Sequence, residues 1–392
     1  MSLNSEGIKK MRYLPNHKKI MLILTENCNL RCKYCYELDK KRNDMDFAKA
    51  KEILSKSLAQ MEGYDTAVIE LHGGEPFLNF ELIKKIDTFV TENYDFPVLF
   101  RTTTNGTRIH GGIQEWLKER KDRYEVMLSL DGKRKDHDLN RVTVNGKGSF
   151  NLIDIDFFAR TWKYCPVSMT VNEDTIENMA ENTIWIQEKG MECLNAFQWA
   201  TDWNIERTYP LLKRELKKLV DYYSDHPEMH VCLLMNYQLL DFNLEITEDY
   251  RYCVEIDDPI ECYDANGRYA PCHGFTEFTV GDQKISRKFS EMSIKDFALE
   301  PRNICYGCKL VRLCRICFAA NFMLTGDMQN QSKAICLYNQ LCILAGLQVE
   351  LNRSKRYTDR RLRKEYLETI IKVQRYIDER RELDIAHDYF AG

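Results

Sequence analysis

Neither sign of charge dominates this sequence. Its 392 residues carry 56 Lys and Arg against 60 Asp and Glu, a net charge of −4, with no block of like charge. A chain that grips a phosphate backbone shows a basic excess, so nucleic acid is not an expected partner. The N-terminus lacks the apolar h-region of a signal peptide, and no apolar run approaches the length that spans a bilayer. Neither export nor a membrane is therefore expected. Repeats of about 20–50 residues and low-complexity segments are missing too, which excludes solenoids and propellers.

What the chain has in abundance is cysteine, fifteen in all. A disulfide framework would need export, so metal-bound thiolates in a reducing cytoplasm are the expectation. Cys28-Asn29-Leu30-Arg31-Cys32-Lys33-Tyr34-Cys35 sets three of them in a C-x3-C-x2-C run directly after the apolar stretch Ile20–Thr25. Three thiolates on a [4Fe-4S] cluster leave one iron open for another ligand. A zinc knuckle, or cysteines buried as small apolar side chains, are the alternatives. Zinc would need a fourth ligand, and no His or Cys follows close by.

From Ile20 to about Ala200, short apolar stretches alternate with amphipathic ones. The pattern predicts strands over 20–25, 66–71, 98–103, 125–130, 166–171 and 193–199, with helices such as 46–62, 79–93 and 175–189 between them. This is an α/β arrangement of βαβ units around a parallel sheet, with fewer units than the eight of a closed barrel. The strand ends carry polar or glycine-rich groups. The second leads into His72-Gly73-Gly74-Glu75-Pro76, the third into Thr104-Asn105-Gly106-Thr107, and the fourth into Ser129-Leu130-Asp131-Gly132, with Arg141 beyond. Glycine lets backbone approach a ligand closely, a carboxylate accepts from an ammonium, and a guanidinium suits a carboxylate. Each also has a plainer reading: a glycine turn entering a helix, an ordinary turn, a solvated surface arginine.

From about Thr208 to Leu240 the chain reads as a charged helical connector, after which the cysteines return. Cys253, Cys262 and Cys272 frame Gly267 as C-x13-G-x4-C; Cys305-x2-Cys308-x5-Cys314-x2-Cys317 follows, then Cys336. Pairs of the C-x2-C type also serve zinc. Cys165, Cys193, Cys232 and Cys342 are expected in the core. Residues 358–383 place Leu362, Tyr366, Leu367, Ile370, Ile371 and Ile377 at helical spacing, which predicts a packing helix.

The three-cysteine loop, with Tyr34 before its third cysteine, the Gly-Gly-Glu-Pro turn one βα unit later, the Thr-Asn-Gly turn and the Ser129/Arg141 pair together resemble the radical S-adenosylmethionine (SAM) superfamily. The resemblance implies a partial (β/α)6 barrel, a type of TIM barrel, open to a large substrate. It also implies a [4Fe-4S] cluster on Cys28, Cys32 and Cys35, whose open iron takes the amino and carboxylate groups of SAM. Gly73, Gly74, Glu75, Pro76, Asn105, Ser129 and Arg141 are then the cofactor-binding residues. In that family the reduced cluster cleaves SAM to methionine and a 5′-deoxyadenosyl radical, which takes hydrogen from an unactivated C–H bond. The later cysteines resemble a SPASM domain, which implies two auxiliary [4Fe-4S] clusters. Cys253, Cys262, Cys272 and Cys317 would hold one; Cys305, Cys308, Cys314 and Cys336 would hold the other. The gap of two before Cys317, where the family has three, bears on that ligand. A flavodoxin or ferredoxin is the implied electron donor. The expected layout is a lead over 1–19, the barrel over 20–205, a connector over 206–252, the iron–sulfur SPASM domain over 253–342 and a helical tail over 343–392.

Within SPASM enzymes, sulfatase-maturating members carry Asp after the third auxiliary cysteine and Gln before Gly-Gly-Glu-Pro. Here His273 and His72 take those places and become the candidate catalytic residues, so formylglycine formation falls behind. The surroundings of Cys272 and Cys314–Cys317 instead resemble maturases of ribosomally made precursor peptides, some of them cysteine-rich. The expectation is a cytoplasmic enzyme that forms a thioether crosslink in a Cys-containing peptide. Carbon–carbon crosslinking, formylglycine formation and a non-catalytic iron–sulfur or zinc scaffold are the alternatives. No winged-helix leader-recognition module precedes the first strand, so a leader peptide is expected to bind the barrel, the SPASM surface or a separate protein.

Overall fold

The computed structural model describes residues 16–37, 40, 42–246, 253, 260–292, 294–314, 316–355 and 358–383. The lead up to residue 15, most of the end of the connector and the last residues of the tail lie outside them. The chain divides into two compact units: 1–170 with 185–194 and 255–296, and 171–184 with 195–254 and 297–392.

Six strands form in chain order: β1 His17–Thr25, β2 Thr66–Gly73, β3 Val98–Thr104, β4 Tyr124–Ser129, β5 Pro166–Val171 and β6 Glu192–Phe197. Each lies within three residues of its sequence-predicted bounds. They stand in the sheet as β6-β5-β4-β3-β2-β1, and the edge beyond β1 carries β7 Ile260–Tyr263 and β8 Tyr269–Ala270. The pairs from β1 to β5 are parallel, with Ile20 opposite Ile69, Ile69 opposite Phe100 and Phe100 opposite Tyr124. This one-way order, with helices between strands, is that of the partial barrel. Parallel strands covered on both faces become near-continuous apolar runs, and Ile20 to Leu24 are all buried. β7 joins β1 in parallel with Cys262 opposite Met21, then turns into antiparallel β8.

The helices between the strands follow their apolar spacing. They are α1 Phe47–Leu58, α2 Phe80–Asn93, α3 Gly112–Glu119, α4 Arg134–Asn140, α5 Ile155–Thr161 and α6 Met179–Glu188. In α1, Asp46 caps the first turn by accepting from the Lys49 backbone N–H at 2.7 Å, and Ala50, Ile53, Leu54 and Leu58 line the buried face. Substituting such a cap costs about 1 kcal/mol.

In the second unit the connector is helical only in part. α7 runs Ile205–Asp225; beyond it come 3-10 turns at Leu233–Met235 and Leu239–Asn243. The stop is set by Pro227, which disfavours helical backbone at His226; His226 has φ −116° and ψ 70°. After the short helices α8 Glu277–Val280 and α9 Gln283–Ser290 of the first unit, the second unit resumes with α10 Phe318–Thr325, α11 Lys333–Ser354 and α12 Arg360–Leu383. Thr208 hydrogen-bonds Tyr338 and Asn352 donates to Ser224 at 2.8 Å, so α7 and α11 run side by side in the same direction. Gly346 lets α11 approach the turn at Leu233–Met235: a Cβ there would stand 2.5 Å from the Met235 carbonyl oxygen.

α11 corrects one expectation. It is long and apolar enough to cross a membrane, although no run of that length was anticipated. Its apolar residues Leu341, Cys342, Ile343, Leu347 and Val349 are buried, as in a core helix. Cys165, Cys193, Cys232 and Cys342 are all buried as expected.

Candidate functional site

The ends of β1 to β4 bring the candidate residues of the first unit together. Backbone bonds join the first two loops: Gly74 N donates to Thr25 O and Glu75 N to Asn27 O, both at 2.9 Å. Only glycine fits here. A Cβ on Gly74 would stand 2.4 Å from the Asn27 carbonyl oxygen and 3.0 Å from Cys28 Cβ, and Gly73 has φ +149°. The cysteine loop is tied on its other side to the third loop, where Asn105 Nδ2 donates to Asn29 Oδ1 at 2.9 Å and Asn29 Nδ2 to Thr107 Oγ1 at 2.7 Å. Arg31 N and Lys33 N donate to Val142 O and Asn140 O at 2.7 and 2.9 Å, beyond the fourth strand. Cys32 lies within electrostatic reach of both Cys28 and Cys35.

Glu75 is buried and accepts from Thr104 Oγ1 and Asn105 N, each at 2.7 Å, and from Phe77 N at 3.2 Å. A carboxylate has about four lone-pair sites, and these donors fill three of them. Burial nonetheless pushes its pKa up to about 7. Arg141 is no solvated surface residue. It is buried and paired with Asp131 through Nε at 3.0 Å and Nη2 at 3.2 Å, and its guanidinium lies 5.4 Å from the Tyr34 ring centroid. Asp131 also accepts from Tyr34 Oη and, at 3.0 Å, from Thr170 N. Burial works against the Arg141 cation, but Asp131, Tyr34 and Cys32 together outweigh it and raise its pKa. Ser129 is buried at the end of β4.

His72, at the end of β2, faces His273 with ring centroids 5.1 Å apart, and Tyr36 lies 5.9 Å from His273. Cys262 and Cys272 are both buried on the β7–β8 hairpin and just after it, and Tyr269 senses both. Cys253 and Cys317 belong to the second unit. Cys317 caps α10: its Sγ accepts from Ala320 N at 3.4 Å and Trp199 Nε1 at 3.3 Å. Trp199 is not among the sequence-predicted site residues, because nothing local links an indole just after β6 to a cysteine 118 positions away.

The other four candidate ligands of the second unit, Cys305, Cys308, Cys314 and Cys336, are neighbours. Cys314 is within electrostatic reach of Cys336, Cys308 and Cys305, and Cys305 of Cys336 and Cys308. Burial pushes the Cys305 thiol up to about 12 and that of Cys28 to about 11. A free thiolate is disfavoured in such surroundings, whereas a metal-bound thiol is deprotonated outright. Every cysteine is free of disulfides. Among the described residues no three His, Cys, Asp or Glu side chains are grouped as a single metal ion would require. Zinc needs all its thiolates about 2.3 Å from one point, while the thiolates of an iron–sulfur cube bind separate irons. By donor type, the sulfurs gathered at Cys305, Cys308, Cys314 and Cys336 suit iron and zinc alike.

Residues 22–152 match the model of the Radical SAM superfamily. An uncharacterized protein of Methanocaldococcus jannaschii is 38% identical over 134 residues, which are 34% of this chain and 44% of that protein. A cysteine-type anaerobic sulfatase-maturating enzyme of Clostridium novyi is 34% identical over 139 residues, 33% of this chain and 36% of the enzyme. These matches take in under half of either relative. The radical SAM cyclopropyl synthase TigE of Paramaledivibacter caminithermalis is 21% identical over 372 residues, 86% of this chain and 75% of that enzyme. Among solved structures, anSMEcpe with bound AdoMet and Cp18Cys peptide aligns with a TM-score of 0.62 at 18% identity, over 87% of this chain and 98% of that one. SuiB of Streptococcus suis bound to its precursor peptide SuiA aligns with a TM-score of 0.56 at 18% identity, over 84% and 78%. At that identity the likeness is one of fold.

Proposed function

We propose that this chain, whose residues 22–152 carry a Radical SAM superfamily domain, matures a ribosomally made peptide by joining a cysteine sulfur of the substrate to a carbon. The observation that carries the reading is the junction of the C-x3-C-x2-C and Gly-Gly-Glu-Pro loops at adjacent strand ends, beneath the third and fourth loops. Cys28, Cys32 and Cys35 would hold a [4Fe-4S] cluster, with Gly73, Gly74, Glu75, Pro76, Asn105, Ser129 and Arg141 as the SAM contacts. When bound, this pair supplies a carbon radical that removes a hydrogen atom from the substrate.

The chain's own residues tie the loops of the site together. Glu75 pins the third loop to the second, and Asp131 joins Arg141 to Tyr34 of the cysteine loop. Closing a carbon–sulfur bond takes from the substrate, besides the hydrogen atom, a thiol proton and one electron. His72 and His273 are the proposed proton acceptors. The proposed electron acceptors are two auxiliary clusters on the later cysteines, one of them on Cys305, Cys308, Cys314 and Cys336. A flavodoxin or ferredoxin would supply the electron that starts each turnover.

A second reading, carbon–carbon bond formation, is favoured by the match to TigE, which takes in most of both chains. Formylglycine formation, suggested by the sulfatase-maturating relatives, has against it His273 where those enzymes carry Asp. The test is the anaerobically reconstituted protein with SAM, a reductant and a Cys-containing peptide from a neighbouring reading frame. The thioether reading expects a product two hydrogens lighter whose cysteine no longer reacts with iodoacetamide. The same mass with a reactive thiol means a carbon–carbon bond, and loss of sulfur means formylglycine. No SAM consumption by the reduced protein would leave only a scaffold.

A further inference from the structure

Packing accounts for only part of α12. Its Ile370, Val373 and Ile377 share a core cluster with Cys308, Leu310, Leu313, Ile343 and Leu347. Tyr376, which packs against the same cluster, and Arg380 are half-buried and lie close to the cysteines. Lys309 N donates to Tyr376 Oη at 3.0 Å, and that phenol also bonds the Cys308 thiol and Arg380. Arg380 Nη2 donates to the carbonyl of Ile304, the residue before Cys305, at 3.1 Å. Its guanidinium lies within electrostatic reach of Cys308 and Cys336, and also of Cys305 and Cys314. Gln340 Nε2 completes the surroundings by donating to Cys336 Sγ at 3.5 Å.

We propose that Arg380, held in place by Tyr376 and the Ile304 carbonyl, is a positioning residue that raises the reduction potential of the centre on Cys305, Cys308, Cys314 and Cys336. The inference rests on the reading that these four cysteines hold a [4Fe-4S] cluster. Four thiolates make that centre a net anion, and one further electron makes it more negative. A fixed cation in half-buried surroundings therefore favours the reduced form, and so do hydrogen bonds to the sulfurs. The reductant is the substrate itself: having lost a hydrogen atom and a thiol proton, it gives up one electron as its carbon–sulfur bond closes. Arg380 makes this centre the readier acceptor of that electron.

The test is an EPR-monitored redox titration of protein in which Cys28, Cys32 and Cys35 are changed to Ala, so that only auxiliary signals remain. Arg380→Gln and Arg380→Lys are compared in that background, with iron measured alongside. Arg380→Gln is expected to weaken the preference for the reduced form about tenfold, a downward shift of about 59 mV for one electron. Arg380→Lys should keep most of the original potential, and both should keep their iron. The proposal is overturned if Arg380→Gln titrates at the unaltered potential, if Gln and Lys shift it equally, or if both lose about four irons, since Arg380 would then only hold the helix. Failure of the underlying reading is separate: Cys308→Ala would leave both the iron content and the auxiliary signals unchanged.

Discussion

At the scale of single residues, the side chains that decide this site are bound to one another before any ligand arrives. Glu75 accepts three hydrogen bonds, two of which close the third loop onto the second. In Glu75→Gln the amide nitrogen must face one of those donors, and a lost buried bond of this kind costs about 1–3 kcal/mol. Amide exchange over 104–107 should accelerate about tenfold to a hundredfold; unchanged protection would mean the loop is held by other contacts. His137 is a second case. Asp131 N donates to its Nδ1 at 3.4 Å, and its Nε2 pairs with Ser149 Oγ at 3.0 Å, which in turn donates to Arg141 O at 2.7 Å. Such a chain suits a neutral imidazole, and burial lowers the pKa to about 4 from 6.5. The unfolded chain then binds the proton first, so this contribution is whole above pH 6.5 and declines as pH falls toward 4, by about 3 kcal/mol. Denaturant unfolding at pH 7 and pH 4.5 should show that loss, and His137→Gln should reduce it.

At the scale of elements, the short loops after the parallel strands do the work, and their backbone contacts are as specific as their side chains. Gly74 has no room for a methyl group between Asn27 and Cys28. Gly74→Ala should displace the cysteine loop, so that reconstituted protein loses about four irons per chain while the auxiliary iron stays. Retention of all the iron would show that the loop can shift without opening. The helices explain which elements were legible. α1, α2 and α12 follow strict apolar spacing and form close to where that spacing places them. The connector departs from its charged helical pattern at Pro227, where local backbone sterics override it.

At the scale of the whole molecule, the cysteines distinguish one reading from another. Anaerobically reconstituted protein should hold about twelve irons, falling to about eight when Cys28, Cys32 and Cys35 are changed to Ala. A starting value of about four would remove both auxiliary clusters and leave zinc or nothing at the later cysteines. The two compact units divide those later cysteines, with Cys262 and Cys272 in the first and the other six in the second. The quartet Cys305, Cys308, Cys314 and Cys336 is grouped in the second unit.

The sequence by itself determined the alternation of strands and helices, the loops that carry Cys28–Cys35 and Gly73–Pro76, and the burial of the four remaining cysteines. Each of these follows from local periodicity, from the spacing of thiols or from the need for glycine where backbones touch, and all are written in neighbouring residues. Only the tertiary structure decided that Arg141 answers to Asp131, that Glu75 is taken up by the third loop, that Trp199 donates to Cys317 and that Arg380 reaches the quartet. Those contacts join residues from ten to more than a hundred positions apart. Their energy depends on burial and charge brought together by packing, which no local pattern encodes.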